Sequence, residues 1–316
     1  MSGARANGPV LLCYDGSPSS ATAIAVAGRL LAAREALVCH TWVGLSTAML
    51  HTNPFDLPQG LREPAEEVDE ADREAAERVA VEGAQLARAA GFNAQPLFVG
   101  EERKTWRALL AEADRHHASA LAVGAHGLSG IGRALLGSVS TALVHHSERP
   151  VLVVPATAMD QGHEGPLLLC YDSSDPAKQA IETAGRLCAE RQAVVLHFWQ
   201  SRVAEAPGLA GISKSVQGMA AELDDIAAEQ SAERAATGVE LAKRAGFEAE
   251  GLSERATGPA WMAVLDAAAQ HACAGVVVGS RGLTGVSAAL GSISNGVVHH
   301  SRRPVLVVPP RPGETS

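Results

Sequence analysis

The sequence repeats itself almost from end to end, and this constrains the fold more than any other feature. The segment VLLCYD at 10–15 returns as LLLCYD at 167–172, and RPVLVVP at 149–155 returns unchanged at 303–309. A period of about 155 residues is too long for a solenoid and matches the size of one compact domain. We therefore expect two domains, 1–158 and 159–316, joined by a polar linker near 156–166.

Composition and charge are those of ordinary globular domains. Of the 316 residues, 47% are hydrophobic, which is enough for two cores. The halves hold 13 basic against 17 acidic and 13 against 18 residues, giving net charges of −4 and −5. No basic stripe marks a nucleic-acid groove, and no apolar run approaches the roughly 18 residues that span a membrane. Five cysteines without a CxxC pair and a polar start without a signal peptide predict a cytoplasmic protein.

Within each half, apolar runs alternate with stretches of helical period. In the first half we predict strands near 9–14, 36–42, 94–99, 119–124 and 150–154, and helices near 18–33, 64–90, 104–116 and 138–147. Such alternation favours a parallel sheet with helices on both faces. Ser17 before Pro18 predicts the cap and first turn of the first helix, and Asp175 before Pro176 predicts those of its counterpart. The divergent stretches 43–62 and 200–215 are expected to be surface loops beside the site.

A glycine-rich loop follows the fourth predicted strand of each half. The first copy has the spacing G-x2-G-x9-G-S, formed by Gly124, Gly127, Gly137 and Ser138. Glycines let the main chain approach phosphate oxygens, and a helix N-terminus adds unpaired N–H groups and partial positive charge. The loop is not a P-loop, because no Lys-Ser/Thr follows a glycine, and a dinucleotide GxGxxG would follow the first strand. The pattern therefore indicates an anion site of another kind.

This spacing, together with Asp15 at the end of the first strand, resembles the ATP-binding signature of the universal stress protein family. The resemblance covers nearly the whole chain, as two family domains in tandem. It implies two Rossmann-like, adenine nucleotide alpha hydrolase-like α/β domains, each with a five-stranded parallel sheet of order 3-2-1-4-5 and helices on both faces. In that order, the crevice beyond strands one and four is the switch point where ligands bind.

The resemblance also implies which residues would hold ATP, with or without Mg²⁺. Asp15 would contact the ribose or adenine side, and Thr41 and Val123 would line the adenine. The phosphates would be surrounded by Gly124, His126, Gly127, Gly137, Ser138 and Val139. The matched positions of the second half are Asp172, Phe198, Val278, Gly279, Arg281, Gly282, Gly291, Ser292 and Ile293.

The second half departs from the signature. Eight residues instead of nine separate Gly282 from Gly291, and Ser173 stands where the first half has Gly16. A shorter loop displaces phosphate donors, whereas the permanent charge of Arg281 favours phosphate binding. We therefore predict two sites of unequal affinity.

No catalytic constellation accompanies the loops. The sequence has no nucleophile elbow, no repeated acid pair near the loop and no metal-ligand spacing. Adjacent helical residues point about 100° apart, so the His-His pairs at 145–146 and 299–300 are expected at helix C-termini instead of in a metal site.

We expect a nucleotide-responsive stress-regulatory module, not a turnover enzyme. The alternatives are a stress interaction or assembly protein that binds no nucleotide, and a slow ATP hydrolase or phosphotransferase at the same loop.

The last strands give a prediction about association. In the order 3-2-1-4-5 the strands at 151–154 and 305–308 lie at sheet edges, where unpaired backbone groups favour pairing. We predict that the halves form an intramolecular pseudo-dimer through these edges, with a further homodimer left open. The sequence names neither the stress nor a protein partner.

Overall fold

The chain forms two compact units, 1–159 and 160–316, in a computed structural model. The structure describes residues 8–44, 59–100, 104–127, 136–161, 164–188, 191–201, 214–280 and 290–311, with backbone alone at 59–67, 160–161 and 214–217. The predicted loops at 43–62 and 200–215 fall largely outside these ranges.

The first unit alternates strands and helices as the sequence predicts. Its elements are β1 (Val10–Cys13), α1 (Pro18–Leu30), β2 (Glu35–Trp42), α2 (Gln59–Ala89), β3 (Asn93–Gly100), α3 (Thr105–Arg115), β4 (Ala120–Gly124), α4 (Ser138–His146) and β5 (Val151–Val154). Every strand begins and ends within one residue of its predicted bounds. The helices differ more, because α1 ends at Leu30 instead of near 33 and α2 begins at Gln59 instead of near 64.

The second unit repeats this order after a short 3₁₀ helix at Ala158–Gln161. Its elements are β6 (Leu167–Cys170), α5 (Asp175–Leu187), β7 (Gln192–Trp199), α6 (Lys214–Arg244), β8 (Glu248–Arg255), α7 (Ala260–Gln270), β9 (Gly275–Gly279), α8 (Ser292–His300) and β10 (Val305–Val308).

Each unit contains a five-stranded parallel sheet. The strand order is β3-β2-β1-β4-β5 in the first unit and β8-β7-β6-β9-β10 in the second, with every pair parallel. The expected order 3-2-1-4-5 is therefore confirmed in both units. The central strands are buried on both faces, with Leu11, Leu121 and Leu168 fully inaccessible to solvent, as parallel sheets covered by helices require.

The first helix of each unit begins with a serine cap. Ser17 accepts a hydrogen bond from the Ser20 amide at 3.2 Å, as predicted. The prediction for the second unit was wrong, because Ser174 and not Asp175 is the cap. The Ser174 hydroxyl accepts from the amide of Ala177, the third helical residue, at 3.2 Å, and this makes Asp175 the first residue of α5.

Candidate functional site

The candidate residues of the first unit meet at the carboxyl ends of three neighbouring strands. The register of β1 with β2 places Asp15 level with Thr41. The register of β1 with β4 places Val123 beside Cys13. Strands β1 and β4 are the neighbours at which the chain order reverses, so these residues lie at the switch point of the sheet.

Three hydrogen bonds fix both ends of the first glycine loop. The Gly137 amide donates to the Ala125 carbonyl at 2.7 Å, and the Ala125 amide donates to the Val154 carbonyl at 2.8 Å. The Ser140 hydroxyl donates to the Gly124 carbonyl at 2.7 Å. The start of the loop and the start of α4 are thereby held together on the end of β4.

The same three bonds recur in the second unit, although its loop is one residue shorter. The Gly291 amide donates to the Ser280 carbonyl and the Ser280 amide to the Val308 carbonyl, each at 2.8 Å. The Ser294 hydroxyl donates to the Gly279 carbonyl at 2.6 Å. The missing residue therefore falls within 281–289, outside the described residues, and leaves the bonds at both ends of the loop unchanged.

The first turn of helix α4 offers backbone donors that have no acceptor within the helix. Gly137 is its cap and offers no side chain to accept hydrogen bonds. The helical ladder starts with the Thr141 amide, which donates to the Gly137 carbonyl at 2.9 Å. The amides of Ser138 and Val139 precede that bond and have no intrahelical acceptor. An anion at this end would accept from these amides and meet the positive end of the helix dipole.

Asp15 joins the loop to the start of α1. Its Oδ1 accepts hydrogen bonds from the Ser17 amide at 3.0 Å and from the Ser20 hydroxyl at 2.7 Å. Its Oδ2 lies on the side of the loop, 2.7 Å from the position that a Cβ atom on Gly127 would occupy. Asp15 thus has a structural role at the helix start in addition to its proposed contact with a ligand.

Two of the loop glycines lie close to other residues, Gly127 to a side-chain end and Gly124 to the backbone. A Cβ atom on Gly127 would displace the Asp15 carboxylate, because real Cβ contacts are essentially never below 3.0 Å. A Cβ atom on Gly124 would lie 2.6 Å from Ser19 Oγ and 2.9 Å from the backbone carbonyl carbon of Ser19. Gly124 is therefore needed for α1 to pack against the end of β4, whether or not a phosphate lies nearby.

Two buried polar atoms flank this loop without a hydrogen-bond partner. They are Ser19 Oγ and His126 Nε2, and they are two of the three such side-chain atoms in the described part of the chain. The third, Glu112 Oε2, lies 3.5 Å from the His116 ring. Buried polar atoms in native proteins are almost always hydrogen-bonded. The first two atoms therefore fit a site that accepts a polar ligand.

The second unit brings its candidate residues to the equivalent place. Phe198 lies level with Asp172, Val278 lies beside Cys170, and Gly279 ends β9. Gly291 caps α8, which places Ser292 and Ile293 in the first turn of that helix. Arg281 and Gly282 lie outside the described residues.

Three serines contribute to the site that the sequence analysis did not select. Ser20 binds Asp15, and Ser140 and Ser294 hold the helix starts. For the last two a signal was present, because both loops continue as G-S-x-S, at 137–140 and 291–294. Ser20 could not be found from the repeat, because Ala177 stands at its matched position.

The thiols near the site are protonated and buried. Burial, and next the neighbouring Cys39, hold the pKa of Cys13 well above its ordinary value. Burial raises the pKa of Cys39 to about 12. Burial and the hydrogen bond from its hydroxyl to Glu82, at 2.9 Å, raise the pKa of Tyr14 to about 12. None of these groups is suited to act as a nucleophile or a base at neutral pH.

The His-His pairs end helices α4 and α8, as predicted. The ring of His146 stacks on Trp106 with centroids 4.6 Å apart, and His300 stacks on Trp261 at 4.4 Å. Among the described side chains, no group of three or more His, Cys, Asp or Glu could hold a metal ion.

Other surfaces of the described chain lie away from the loops. A cavity of about 540 Å³ opens at the amino ends of β7 and β8, between Gln192, Lys243 and Glu248, at the opposite edge of the sheet from the candidate site. No helix in the described ranges is both long and apolar enough to cross a membrane.

The fold is that of an α/β protein with two similar units, each with a glycine-rich loop after its fourth strand. The sequence model of the universal stress protein family matches residues 7–155 and again 165–309. The chain therefore belongs to the universal stress protein family.

Relatives with the same description occur in mycobacteria. A universal stress protein of Mycolicibacterium smegmatis is 33% identical over 200 residues, which is 61% of this chain and 63% of that protein. Universal stress protein Rv2005c of Mycobacterium tuberculosis is 32% identical over 206 residues, or 61% of this chain and 62% of that protein. The matched region thus spans less than two thirds of these relatives.

Solved structures share the fold over the whole chain. A universal stress protein from Archaeoglobus fulgidus superposes with a TM-score of 0.61 at 21% identity, covering 96% of this chain and 98% of that one. A putative universal stress protein from Pseudomonas aeruginosa gives a TM-score of 0.52 at 16% identity over 97% of this chain and 95% of that one.

Proposed function

We propose that the chain binds ATP, with or without Mg²⁺, at the Gly124–Ser138 loop and acts as a nucleotide-responsive regulatory module in the cytoplasm. In this proposal Asp15 and Thr41 contact the nucleoside, and the α4 amides of Ser138 and Val139 contact the phosphates. The second unit binds nucleotide more weakly or not at all. The five free thiols agree with a reducing compartment.

The observation that carries the proposal is the set of unsatisfied polar groups around one loop. Ser19 Oγ and His126 Nε2 are buried without partners, and the first-turn amides of α4 have neither helical acceptors nor a capping side chain. A triphosphate supplies many acceptor oxygens at once, and hydrogen bonds to ionised oxygens are roughly twice as strong as those between neutral groups. The position at the switch point agrees with where ligands bind in open α/β sheets.

A second candidate function has an observation of its own. The Asp15 carboxylate and the absence of a side chain at Gly124 are both explained by packing at the start of α1. A protein with the same loop could therefore keep these residues for its fold and serve only in interaction or assembly.

Nucleotide content after native purification tests the proposal. Protein purified without added nucleotide is denatured, and the released small molecules are identified by mass spectrometry, with a parallel preparation in EDTA to separate ATP from its Mg²⁺ complex. We expect adenine nucleotide approaching one per chain. Absence of nucleotide, together with no binding of millimolar ATP in equilibrium dialysis, would leave the interaction protein as the better account. Phosphate release over hours in the same samples tests slow hydrolysis.

A further inference from the structure

Helix α6 carries an apolar stripe that faces solvent. Met219, Leu223 and Ile226 are 56%, 51% and 50% exposed and are the three most exposed large apolar side chains of the described residues. Their spacing of i, i+4 and i+7 places them on one helical face over roughly 10 Å. We call these three residues the α6 stripe.

The stripe is not the side of α6 that packs on its own sheet. The buried residues of the helix, among them Ser231, Ala235 and Ala242, begin one turn after the stripe and point about 140° away from it around the helix axis. Asp224 lies on the side of α6 that faces the sheet, where its carboxylate forms an ion pair with Arg255 of β8 at 3.5 Å. The exposure of the stripe therefore belongs to a face that the described residues of the second unit leave uncovered.

The part of α6 around the stripe is acidic. Residues 215–233 contain five acidic and no basic side chains. Glu222, Glu229 and Glu233 are exposed along one border of the stripe, and none of them forms an ion pair with a described residue. An apolar stripe bordered by uncompensated carboxylates is complementary to an amphipathic segment with basic flanks.

The matched helix of the first unit lacks this combination. Gly83 and Gly238 both pack against a tyrosine at the end of the first strand, and this fixes the correspondence between α2 and α6. At the stripe positions α2 then has Pro64, Val68 and Ala71. Two of its carboxylates are paired within the helix, Glu70 with Arg73 at 2.6 Å and Glu74 with Arg78 at 3.7 Å. The stripe is thus a feature of one copy of a duplicated domain and not of the fold.

We propose that the α6 stripe is a docking surface for a basic amphipathic helix of a partner protein. A second copy of this chain fits less well, because a symmetric contact sets the same patch against itself. That contact would bring Glu222, Glu229 and Glu233 of each copy against one another, and opposed like charges disfavour the complex.

A designed peptide tests the surface without knowledge of the natural partner. The probe is a fluorescein-labelled peptide of about 18 residues, long enough to be helical, with leucines at i, i+4, i+7 and i+11 and lysines on both borders. A scrambled peptide of the same composition controls for charge alone. Anisotropy titrations use the full chain, without ATP, at two salt concentrations.

Binding should depend on the stripe and on its acidic border. We expect Leu223→Ser with Ile226→Ser to weaken binding of the leucine peptide at least about tenfold, because each change removes an aliphatic group that the complex would bury. Glu222→Lys with Glu229→Lys should weaken it and flatten its salt dependence. The matched change in α2, Val68→Ser with Ala71→Ser, should leave binding unchanged.

Three results would overturn the proposal. They are equal binding of the scrambled peptide, unchanged binding by the Leu223→Ser, Ile226→Ser variant, and a dimer in sedimentation that this variant turns into monomer. The last result would make a second copy the occupant. The charge variant keeps the test decisive if the serine variant is poorly folded, and ATP binding is read separately in every variant.

Discussion

Ser173 and Gly16 occupy the same place, directly after the aspartate that follows the first strand of each unit. Both have a left-handed backbone, with φ of 69° and 81°. A side chain in that conformation costs about 1 kcal/mol or more, and glycine avoids the cost. We predict that Ser173→Gly raises the free energy of unfolding by about 1 kcal/mol, measured by urea denaturation. The reverse change, Gly16→Ser, should lower it, and two changes of the same sign would show that the strain is not the cause.

His197 predicts how stability depends on pH. It is buried in β7, and its Nδ1 lies 2.8 Å from the Ser231 hydroxyl. Burial, and next the charge of Arg234, lower the pKa of His197 below 6.5. The unfolded chain therefore takes up this proton at a higher pH than the folded chain does. Stability from this residue should be complete above pH 6.5 and fall as the pH drops below it.

The difference between wild type and His197→Gln isolates this contribution. Urea unfolding at several pH values between 5 and 8 should show a shallower acid-side slope in the variant. His40→Gln, at the matched position of β2, controls for loss of an imidazole. Parallel slopes for wild type and His197→Gln would rule out the assignment.

At the scale of elements, one serine side chain bonds the first turn of each helix after the glycine loop to the end of the preceding strand. Ser140 and Ser294 are buried, and each donates to the last carbonyl of β4 or β9. We predict that Ser140→Ala and Ser294→Ala each cost about 1–2 kcal/mol of unfolding free energy, because a buried carbonyl loses its donor. Ser138→Ala, which removes an exposed hydroxyl two residues earlier in the same helix, should stay within about 0.5 kcal/mol. Equal losses of unfolding free energy in Ser138→Ala and Ser140→Ala would show that the hydrogen bond to the strand does not stabilise the fold.

Elements were predictable where a local signal fixes them. The buried apolar runs and the repeat located each strand of the first unit to within one residue, and Ser17 before Pro18 marked the start of α1. In Ser174-Asp175-Pro176 two side chains could cap α5, and the bonds that decide are local: the Ser174 amide donates to Asp172, and the Ser174 hydroxyl accepts from the Ala177 amide. The repeat also aligns Ser174 with the cap Ser17, and this signal would have identified the cap. The approach of Gly127 to Asp15 joins residues far apart in sequence, which no local pattern encodes.

At the scale of the whole molecule, duplication has given two units with one fold and different sites. The bonds that anchor the two glycine loops agree, while the residues between the anchors differ by one position and by His126 against Arg281. One lost charge-assisted hydrogen bond is worth about 1.5–3 kcal/mol, or tenfold or more in affinity. We predict that titration of the full chain with ATP shows two sites of unequal affinity, or one site only. Two sites of equal affinity would contradict this prediction. The association of the halves through β5 and β10 stays a prediction.

The central claim is that ATP binds at the Gly124–Ser138 loop, and calorimetry of Gly127→Val tests it most directly. Gly127 is exposed and outside the core, so the variant should fold, as circular dichroism can check. Valine there would meet the Asp15 carboxylate and fill the approach to the α4 amides. The account predicts that the heat of high-affinity ATP binding disappears in Gly127→Val. It should remain in Gly282→Val, the matched change in the second loop. Unchanged ATP affinity in folded Gly127→Val would contradict the account.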